Sequence, residues 1–234
     1  MASPAPSPEP QRGFWATLSK TECDALIEAG VRSTFAPGSV LLAHHDSSGD
    51  VAIVWSGLIK AAVRVADDKH VVLALRGPGD IVGELAHING GRRSAAVIAV
   101  NRVEALIVPR DRFTELLGRD RAAADSLRRI IVDRLCEADR DRLAAASMTV
   151  GQRLARYLLK LVWRHGVPVP DGSLRIDQLS QEDLAACIGG GPRTVAREMG
   201  EWRKRSIIST ERRSVIVHEP AALDRIAGRH APPP

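Results

Sequence analysis

The sequence has 234 residues, of which 44% are hydrophobic and 26% are charged, a composition typical of a globular protein with one or two domains. No run approaches the ~18 consecutive apolar residues of a membrane span, and residues 1–10 lack the apolar core of a signal peptide. We therefore predict a cytoplasmic protein without a membrane partner. Cys23, Cys136 and Cys187 are odd in number and far apart, which argues against a disulfide framework and against a zinc site.

The charge is distributed unevenly along the chain. Residues 1–150 contain 19 Lys and Arg against 19 Asp and Glu, whereas residues 151–234 contain 14 against 9 and carry the whole net charge of +5. A basic C-terminal third predicts a polyanionic partner. A basic surface that is only solvated is the alternative.

The first part of the chain changes character near residue 31. Residues 1–12 are rich in Pro and Ser and predict a disordered leader. Residues 14–29 predict one or two short helices, with Ser19 placed to cap a helix ahead of Glu22. Over residues 31–108, short runs of Val, Ile, Leu and Ala alternate with turn signals. This spacing predicts a small antiparallel barrel or roll.

A Gly-rich segment inside the predicted roll places Gly83 and Glu84 ahead of Arg93. An Arg guanidinium offers a planar fork to a phosphate, and glycine lets backbone N–H groups approach an anion. A carboxylate accepts a hydrogen bond from a sugar hydroxyl. We interpret residues 83–95 as a phosphate and ribose site. For such a pattern taken alone, a solvated loop is the alternative.

Two helices are predicted after the roll. Pro109 favours the start of a helix over residues 111–117, and a long helix follows over residues 121–148. The long helix has an apolar stripe at near-heptad spacing, which predicts packing on the roll and against a second copy of the chain. The stripe comprises Leu127, Ile131, Leu135, Ala138, Ala145 and Met148. A long helix that packs only within its own chain is the alternative.

The basic third begins with a predicted amphipathic helix over residues 150–163. Ser180 then precedes a helix that has an acid at its third position, the capping-box arrangement. A glycine turn follows, and Pro192 suits the first position of the next helix because its missing N–H is not needed there. The pattern predicts a helix-turn-helix.

The second helix of this motif, over residues 192–205, is predicted to bury Val195, Met199 and Trp202. Its outward face would enter the major groove, with the N-terminal residues directed at base edges. Residues 207–218 are predicted to form a hairpin that serves as a wing, with basic residues that contact the phosphates of the DNA backbone. The predicted DNA contacts are Ser180, Gln181, Arg193, Thr194, Arg197, Lys204, Arg212 and Arg213.

This order of parts, a roll with the 83–95 segment, a long helix and a winged helix-turn-helix, resembles the Crp/Fnr family of bacterial transcription regulators, which includes the catabolite activator protein. The resemblance covers residues 14–228 and implies an α+β fold. The parts it implies are a leader (1–12), a jelly-roll-like, cyclic-nucleotide-binding β-roll (13–118), a dimerisation helix (119–148), a winged helix-turn-helix (149–228) and a tail (229–234).

The family's phosphate-binding cassette implies a role for each matching residue of the 83–95 segment. Glu84 would take the ribose 2′-hydroxyl, Arg93 the cyclic phosphate, and Ser94 would add a donor, with Gly83 and Leu85 as backbone neighbours. The resemblance also implies cAMP or cGMP as the effector, a homodimer, double-stranded DNA as the partner of the helix-turn-helix, and RNA polymerase as a further partner.

Some positions depart from the family pattern. Where its cAMP responders place a Thr, followed by a Ser from the partner chain, to bond adenine, this chain has Ala138 and Asp139, which we take as the candidate contacts to the base. The recognition helix has Pro192 and Arg193 where the family often has Arg and Glu, so the usual operator is not assumed. Neither the cysteines nor the histidines show iron-sulfur, haem or metal spacing, and none of these cofactors is predicted.

We favour a homodimeric transcription regulator under allosteric control by a cyclic nucleotide. One alternative keeps the DNA-binding role but makes the pocket vestigial or suited to another ligand. A second alternative is a ligand-gated interaction module whose basic third binds an acidic protein. An enzyme is not expected, because the sequence contains no nucleophile elbow, metal-ligand set or Walker loop.

Overall fold

The computed structural model describes residues 9–64, 70–177, 179–211 and 213–228. The chain divides into two compact units, residues 1–136 and 137–234, and the division falls inside a single long helix. Residues 1–8 of the predicted leader lie outside the described residues, and residues 9–12 are described. Pro10 is buried, and the Arg12 carbonyl accepts a hydrogen bond from the Ala16 N–H. The predicted tail, 229–234, also lies outside the described residues.

Short helices open the first unit, as the sequence predicts. A 3-10 helix spans Trp15–Thr17 and helix α1 spans Lys20–Ala29. The Ser19 hydroxyl accepts a hydrogen bond from the Glu22 N–H, and the Glu22 carboxylate accepts one from the Ser19 N–H. This reciprocal capping satisfies two of the N–H groups that a helix start leaves without partners.

In the described part of residues 31–108, eight strands form two antiparallel sheets, which confirms the predicted roll. The strands are β1 (Val31–Phe35), β2 (Val40–Leu42), β3 (Val51–Ser56), β4 (Ile59–Arg64), β5 (His70–Arg76), β6 (Ile81–Val82), β7 (Ala96–Ala99) and β8 (Val103–Val108). One sheet has the order β1-β8-β3-β6 and the other β2-β7-β4-β5. In the first sheet β8 lies between β1 and β3, so the last strand of the roll pairs with the first.

Strand β3 separates two hydrophobic cores. Ala52 and Val54 belong to a cluster together with β7 of the other sheet, whereas Val51, Ile53 and Trp55 belong to a cluster with the helices. All five side chains are at most 1% exposed. The alternation follows from the period of two in a strand, which sends successive side chains to opposite faces of the sheet.

Three helices complete the first unit and lead out of it. They are α2 (Glu84–Asn89), α3 (Arg110–Arg119) and α4 (Arg121–Ser147). Pro109 is the N-cap of α3, where a missing N–H costs nothing. The long helix α4 begins and ends within one residue of the predicted bounds.

The predicted apolar stripe of α4 meets different environments along its length. Leu127 is 3% exposed and Ile131 packs on the same core of the roll, so Leu127 is buried in its own chain and is not available to a second copy. Leu135 is 59% exposed, and Ala138 and Ala145 are also exposed. The predicted packing of the stripe on the roll is confirmed at Leu127 and Ile131, whereas its contact with a second copy stays a prediction.

The second unit contains the predicted winged helix-turn-helix. Its elements are α5 (Val150–His165), β9 (Val167–Pro168), β10 (Leu174–Asp177), α6 (Gln181–Ile188), α7 (Pro192–Lys204), β11 (Ile208–Glu211), β12 (Ser214–Val217) and α8 (Pro220–Ile226). The strands form one antiparallel sheet in the order β11-β12-β10-β9. Across the described ranges of both units, no helix combines the length and the apolar character that crossing a membrane requires.

Candidate functional site

The segment that joins Glu84 to Arg93 is a short helix, α2, where the sequence alone indicated a Gly-rich segment. Gly83 precedes it with φ at +89°, a left-handed value that glycine adopts without strain. A side chain at this position would also collide, since an added Cβ would lie 2.6 Å from Arg93 Nη1 and 2.8 Å from the Asp50 carbonyl oxygen. Gly83 therefore lets the backbone at the start of α2 approach the Arg93 guanidinium.

Arg93 is 3% exposed, yet the protein leaves part of its guanidinium unused. Nε donates to Asp46 at 3.1 Å, and Nη2 donates to the Ser48 hydroxyl at 2.9 Å and to the Asp50 carbonyl at 2.8 Å. Nη1 is buried and has no hydrogen-bond partner. A buried, charged donor without an acceptor is costly, so Nη1 is the atom at which an anion would be most strongly stabilised.

The loop of residues 46–50 holds this guanidinium in place. The Arg93 N–H donates to the Asp46 carbonyl at 3.0 Å, and the His45 N–H donates to the Arg93 carbonyl at 3.1 Å. A hydrogen bond from Ser48 and a second one from Arg93 lower the pKa of the Asp46 carboxyl to about 2. Asp46 is thus ionised at neutral pH. Sequence reasoning identified this loop only as a turn, because its partner lies more than 40 positions away.

Glu84 is held by a residue that the sequence analysis missed. Its carboxylate is 5% exposed, and Oε1 accepts a hydrogen bond from Arg134 Nη1 on α4 at 2.6 Å. Arg134 Nη2 also donates to the Ile81 carbonyl at 2.7 Å. A carboxylate offers two oxygens with about four acceptor positions, so Glu84 can accept further hydrogen bonds while it remains paired with Arg134.

The remaining predicted ligand contacts are exposed, unlike the buried Glu84 and Arg93. Ser94 is exposed, and Leu85 on α2 is 50% exposed. Ala138 and Asp139 belong to the second unit, where Asp139 is exposed and accepts a hydrogen bond from Arg142 at 3.1 Å. The structure therefore brings Gly83, Glu84 and Arg93 together, while the roles of Ser94, Leu85, Ala138 and Asp139 stay predictions.

Within the second unit, the C-terminal half of α4 is joined to α5 by ion pairs. Glu137 is 2.6 Å from Lys160 and 3.1 Å from Arg164. Asp141 is 3.1 Å from Arg156. The Arg156 guanidinium also donates to the Arg140 carbonyl at 3.0 Å. These pairs fix the end of α4 to the first helix of the basic unit.

The two helices of the helix-turn-helix start as the sequence predicts. Ser180 caps α6, with the Asp183 N–H donating to its hydroxyl at 3.0 Å and Asp183 completing a capping box. Gly189 ends α6 in the left-handed conformation, and Pro192 is the first residue of α7. Trp202 is 3% exposed. With Val195 and Met199, also buried, it anchors one face of α7 in the core.

The opposite face of α7 is basic and exposed. Arg193, Arg197 and Lys204 are exposed and Thr194 is partly buried. Because Arg193, Arg197 and Lys204 are spaced by four and seven residues, they lie on one side of the helix. Arg197 pairs with its neighbour Glu198 at 3.1 Å, and Lys204 pairs with Glu201 at 2.7 Å.

The predicted wing is a hairpin of β11 and β12. Arg203 at the end of α7 donates to the Thr210 hydroxyl of β11 at 3.1 Å, which ties the hairpin to α7. Arg213 lies in the turn with φ at +58° and is exposed. Arg212, predicted to contact phosphate, lies outside the described residues. Gln181 is exposed at the start of α6, and its contact with DNA stays a prediction.

Comparison with known proteins assigns both units. Residues 32–120 match the family described as the cyclic nucleotide-binding domain, and residues 152–226 match the Crp-like helix-turn-helix domain. The chain belongs to the Crp/Fnr family. It is thus a Crp-like DNA-binding transcription regulator that contains a cyclic nucleotide-binding domain.

Relatives of this Crp/Fnr protein extend over most of its length. The CRP-like cAMP-activated global transcriptional regulator of Mycobacterium tuberculosis is 27% identical over 82% of this chain and 86% of its own length. The Cyclic AMP receptor protein of Thermus thermophilus is 29% identical over 90% of this chain and 94% of its own length. The structure of FixK2 from Bradyrhizobium japonicum shares the fold, with a TM-score of 0.75 at 19% identity over 86% of this chain and 99% of its own.

Proposed function

We propose that this Crp/Fnr protein is a homodimer that binds cAMP or cGMP in its roll and thereby changes its affinity for DNA. The observation that carries the proposal is Arg93, a buried guanidinium with one nitrogen left without a partner. A cyclic phosphate supplies the acceptor that Nη1 lacks. Gly83 lets backbone approach the same guanidinium, and Glu84 has acceptor positions for a ribose hydroxyl.

Long helix α4 offers a physical link between the nucleotide site and the DNA-binding unit. Arg134 on α4 pairs with Glu84, and one turn later Glu137 pairs with Lys160 and Arg164 of α5. A ligand hydroxyl that donates to the Glu84 carboxylate shares this acceptor with the Arg134 guanidinium, so α4 is the element that would respond to the ligand. Such coupling requires two states of α4 that the ligand binds with different affinity.

We further propose that exposed apolar residues of α4 form the contact between two copies. Val132, Leu135 and Leu143 are 57%, 59% and 68% exposed. They lie on one face of the helix, since their spacing of three and eight residues is close to whole turns. A second copy that covers this face in a parallel pair would remove these side chains from water. Two recognition helices would then reach half-sites about 34 Å apart.

The sensing proposal is tested by isothermal titration with cAMP and cGMP, using wild type, Arg93→Lys and Arg93→Ala. Wild type should bind one of the two nucleotides, and Arg93→Ala should lose at least tenfold in affinity, because a charged hydrogen bond is worth about 1.5–3 kcal/mol. Arg93→Lys keeps the charge but not the planar fork, so its affinity should fall between the others. Circular dichroism of each variant controls for folding. Equal affinity of wild type and Arg93→Ala would contradict the site.

The DNA-binding proposal is tested on a duplex selected from a random pool by the wild-type protein. Arg197→Ala should lose about 1–3 kcal/mol of binding free energy if Arg197 contacts a base edge. Arg225→Ala removes the same charge from an exposed position on α8 and serves as the control. Added nucleotide should change the affinity of wild type but not that of Arg93→Ala. An Arg197→Ala variant with unchanged affinity would favour an acidic protein partner for the basic unit.

A second candidate keeps DNA binding but removes nucleotide control. The observations that favour it are that Asp46, Ser48 and Asp50 already satisfy the other nitrogens of Arg93, and that Ala138 offers no hydroxyl to a base. If neither nucleotide binds and DNA affinity is the same in wild type and Arg93→Ala, this candidate replaces the first.

A further inference from the structure

A groove between helices α1 and α3 lies outside the nucleotide site and outside the basic unit. Its volume is about 610 Å³, within the range of about 300–1,000 Å³ that small-molecule sites occupy. The groove is lined by four acids and two bases: Glu22, Glu28, Glu115, Asp120, Arg112 and Arg119. The excess of acids gives the groove a negative field, whereas the chain as a whole is positive.

Two of the four acids have their charge or acceptor positions already used. Glu115 is 2.6 Å from Arg119 and 3.5 Å from Arg112, and the net charge of +1 on these three side chains is balanced by the negative charge of Asp120 in the same lining. Asp120 accepts hydrogen bonds from the N–H groups of Ala122 and Ala123 at 2.8 and 3.3 Å, which caps the start of α4. The charge that remains to attract a ligand therefore comes from Glu22 and Glu28.

Glu22 provides an independent sign of a ligand. Its side chain is 4% exposed, and while Oε2 accepts from the Ser19 N–H, Oε1 is buried without any hydrogen-bond partner. A buried carboxylate oxygen without a donor is destabilising. A cation with N–H groups would supply the missing donor, and Glu28, exposed on the same helix, would add a second negative charge.

Apolar side chains of the same groove indicate that the ligand has an apolar part in addition to its positive charge. Ala25, Leu26, Ala29 and Leu116 line it together with the acids. Methylene groups are the natural partners of such a wall, whereas a metal ion or ammonium alone would leave it in water. We propose that the α1–α3 groove binds a small alkylammonium cation, with a diamine as the best match to the apolar wall, the unpaired Oε1 of Glu22 and the carboxylate of Glu28.

The experiment uses the full-length protein and putrescine as the probe, at low ionic strength so that the carboxylates are not screened. Binding is measured by calorimetry and by the rise in melting temperature that accompanies ligand binding. We expect wild type to bind putrescine with a dissociation constant at or below about 1 mM. Ammonium chloride at equal ionic strength should have no effect, because it lacks the methylene chain.

Two matched variants connect the binding to the groove. Glu22→Gln removes the charge yet preserves the cap of α1, since glutamine also closes a capping box, and it should weaken putrescine binding about tenfold or more. Asp24→Asn removes the same charge from α1 at a residue that pairs with Lys20 and does not line the groove; its affinity should match wild type. No binding up to about 10 mM putrescine, or equal affinity of the two variants, would overturn the proposal. Because Arg93 plays no part here, the nucleotide titration can fail or succeed independently.

Discussion

Replacing Gly83 with alanine tests whether the backbone really approaches the Arg93 guanidinium. The new Cβ would have to adopt φ near +89° and would lie 2.6 Å from Arg93 Nη1, 2.8 Å from the Asp50 carbonyl oxygen and 2.9 Å from Leu42 Cδ1. The left-handed backbone costs about 1–2 kcal/mol, and overpacking a rigid site costs about 1–3 kcal/mol more. Gly83→Ala should therefore lower the free energy of unfolding by about 2–5 kcal/mol.

Gly38→Ala is the matched control in the same roll. Gly38 has nearly the same φ, +82°, but nothing lies within 4 Å of its added Cβ, so this variant should lose only the backbone contribution of about 1–2 kcal/mol. Both are measured by urea denaturation. In the nucleotide titration, Gly83→Ala should lose at least tenfold in affinity because Arg93 is displaced, whereas Gly38→Ala should bind as wild type does. Equal losses of stability in the two variants would refute the close approach.

Three further predictions concern the charged and capping residues. The folded pKa of Asp46, about 2, lies below its ordinary value of 3.8, so Asp46 contributes stability above pH 4 that is lost as the pH falls towards 2. The difference in melting temperature between wild type and Asp46→Asn should therefore shrink over that window, and a constant difference would contradict the Asp46–Arg93 pair. Arg134→Met should cost about 3 kcal/mol because it leaves Glu84 buried without its partner. The double variant with Glu84→Gln should recover most of that loss in a double-mutant cycle, and additive losses would show that the two residues are not coupled. Ser180→Ala should cost about 1 kcal/mol in thermal denaturation through the lost cap of α6, and Ser180→Asp, which can still cap, should cost less.

Local chemistry made much of the fold predictable. Ser19 and Ser180 predicted helix starts because a capping box involves only four consecutive residues and can be recognised from the sequence. Pro192 marked the start of α7 because proline, which lacks an N–H, is favoured at the first position of a helix. The alternation of apolar runs and turns over residues 31–108 was enough to predict a roll, although it did not give the order of its strands.

The site was predictable only in part. Glu84 and Arg93 could be found from their spacing, but Asp46 and Arg134, which hold them, lie 47 and 50 residues away from their partners. Neither partner leaves a periodic signal, since each acts through a single tertiary contact. On α4, periodicity identifies an apolar face but not what covers each residue of it, and at Leu127 the roll itself covers the side chain.

The pairing of β8 between β1 and β3 has a consequence for a chain still on the ribosome. Val31 pairs with Ile107, and Val51 with Val108. The first sheet therefore cannot be completed before β8, which is synthesised more than 70 residues after β1. Until β8 emerges, β1 lacks the only strand with which it pairs in the described structure, and β3, which follows the loop that holds Arg93, lacks its pairing with β8. Nascent chains that stop short of residue 103 should therefore expose unpaired strand edges and depend on chaperones. Residues 83–95 follow β6 of this sheet and are made before β8, so the sheet beside them stays incomplete until β8 has been synthesised.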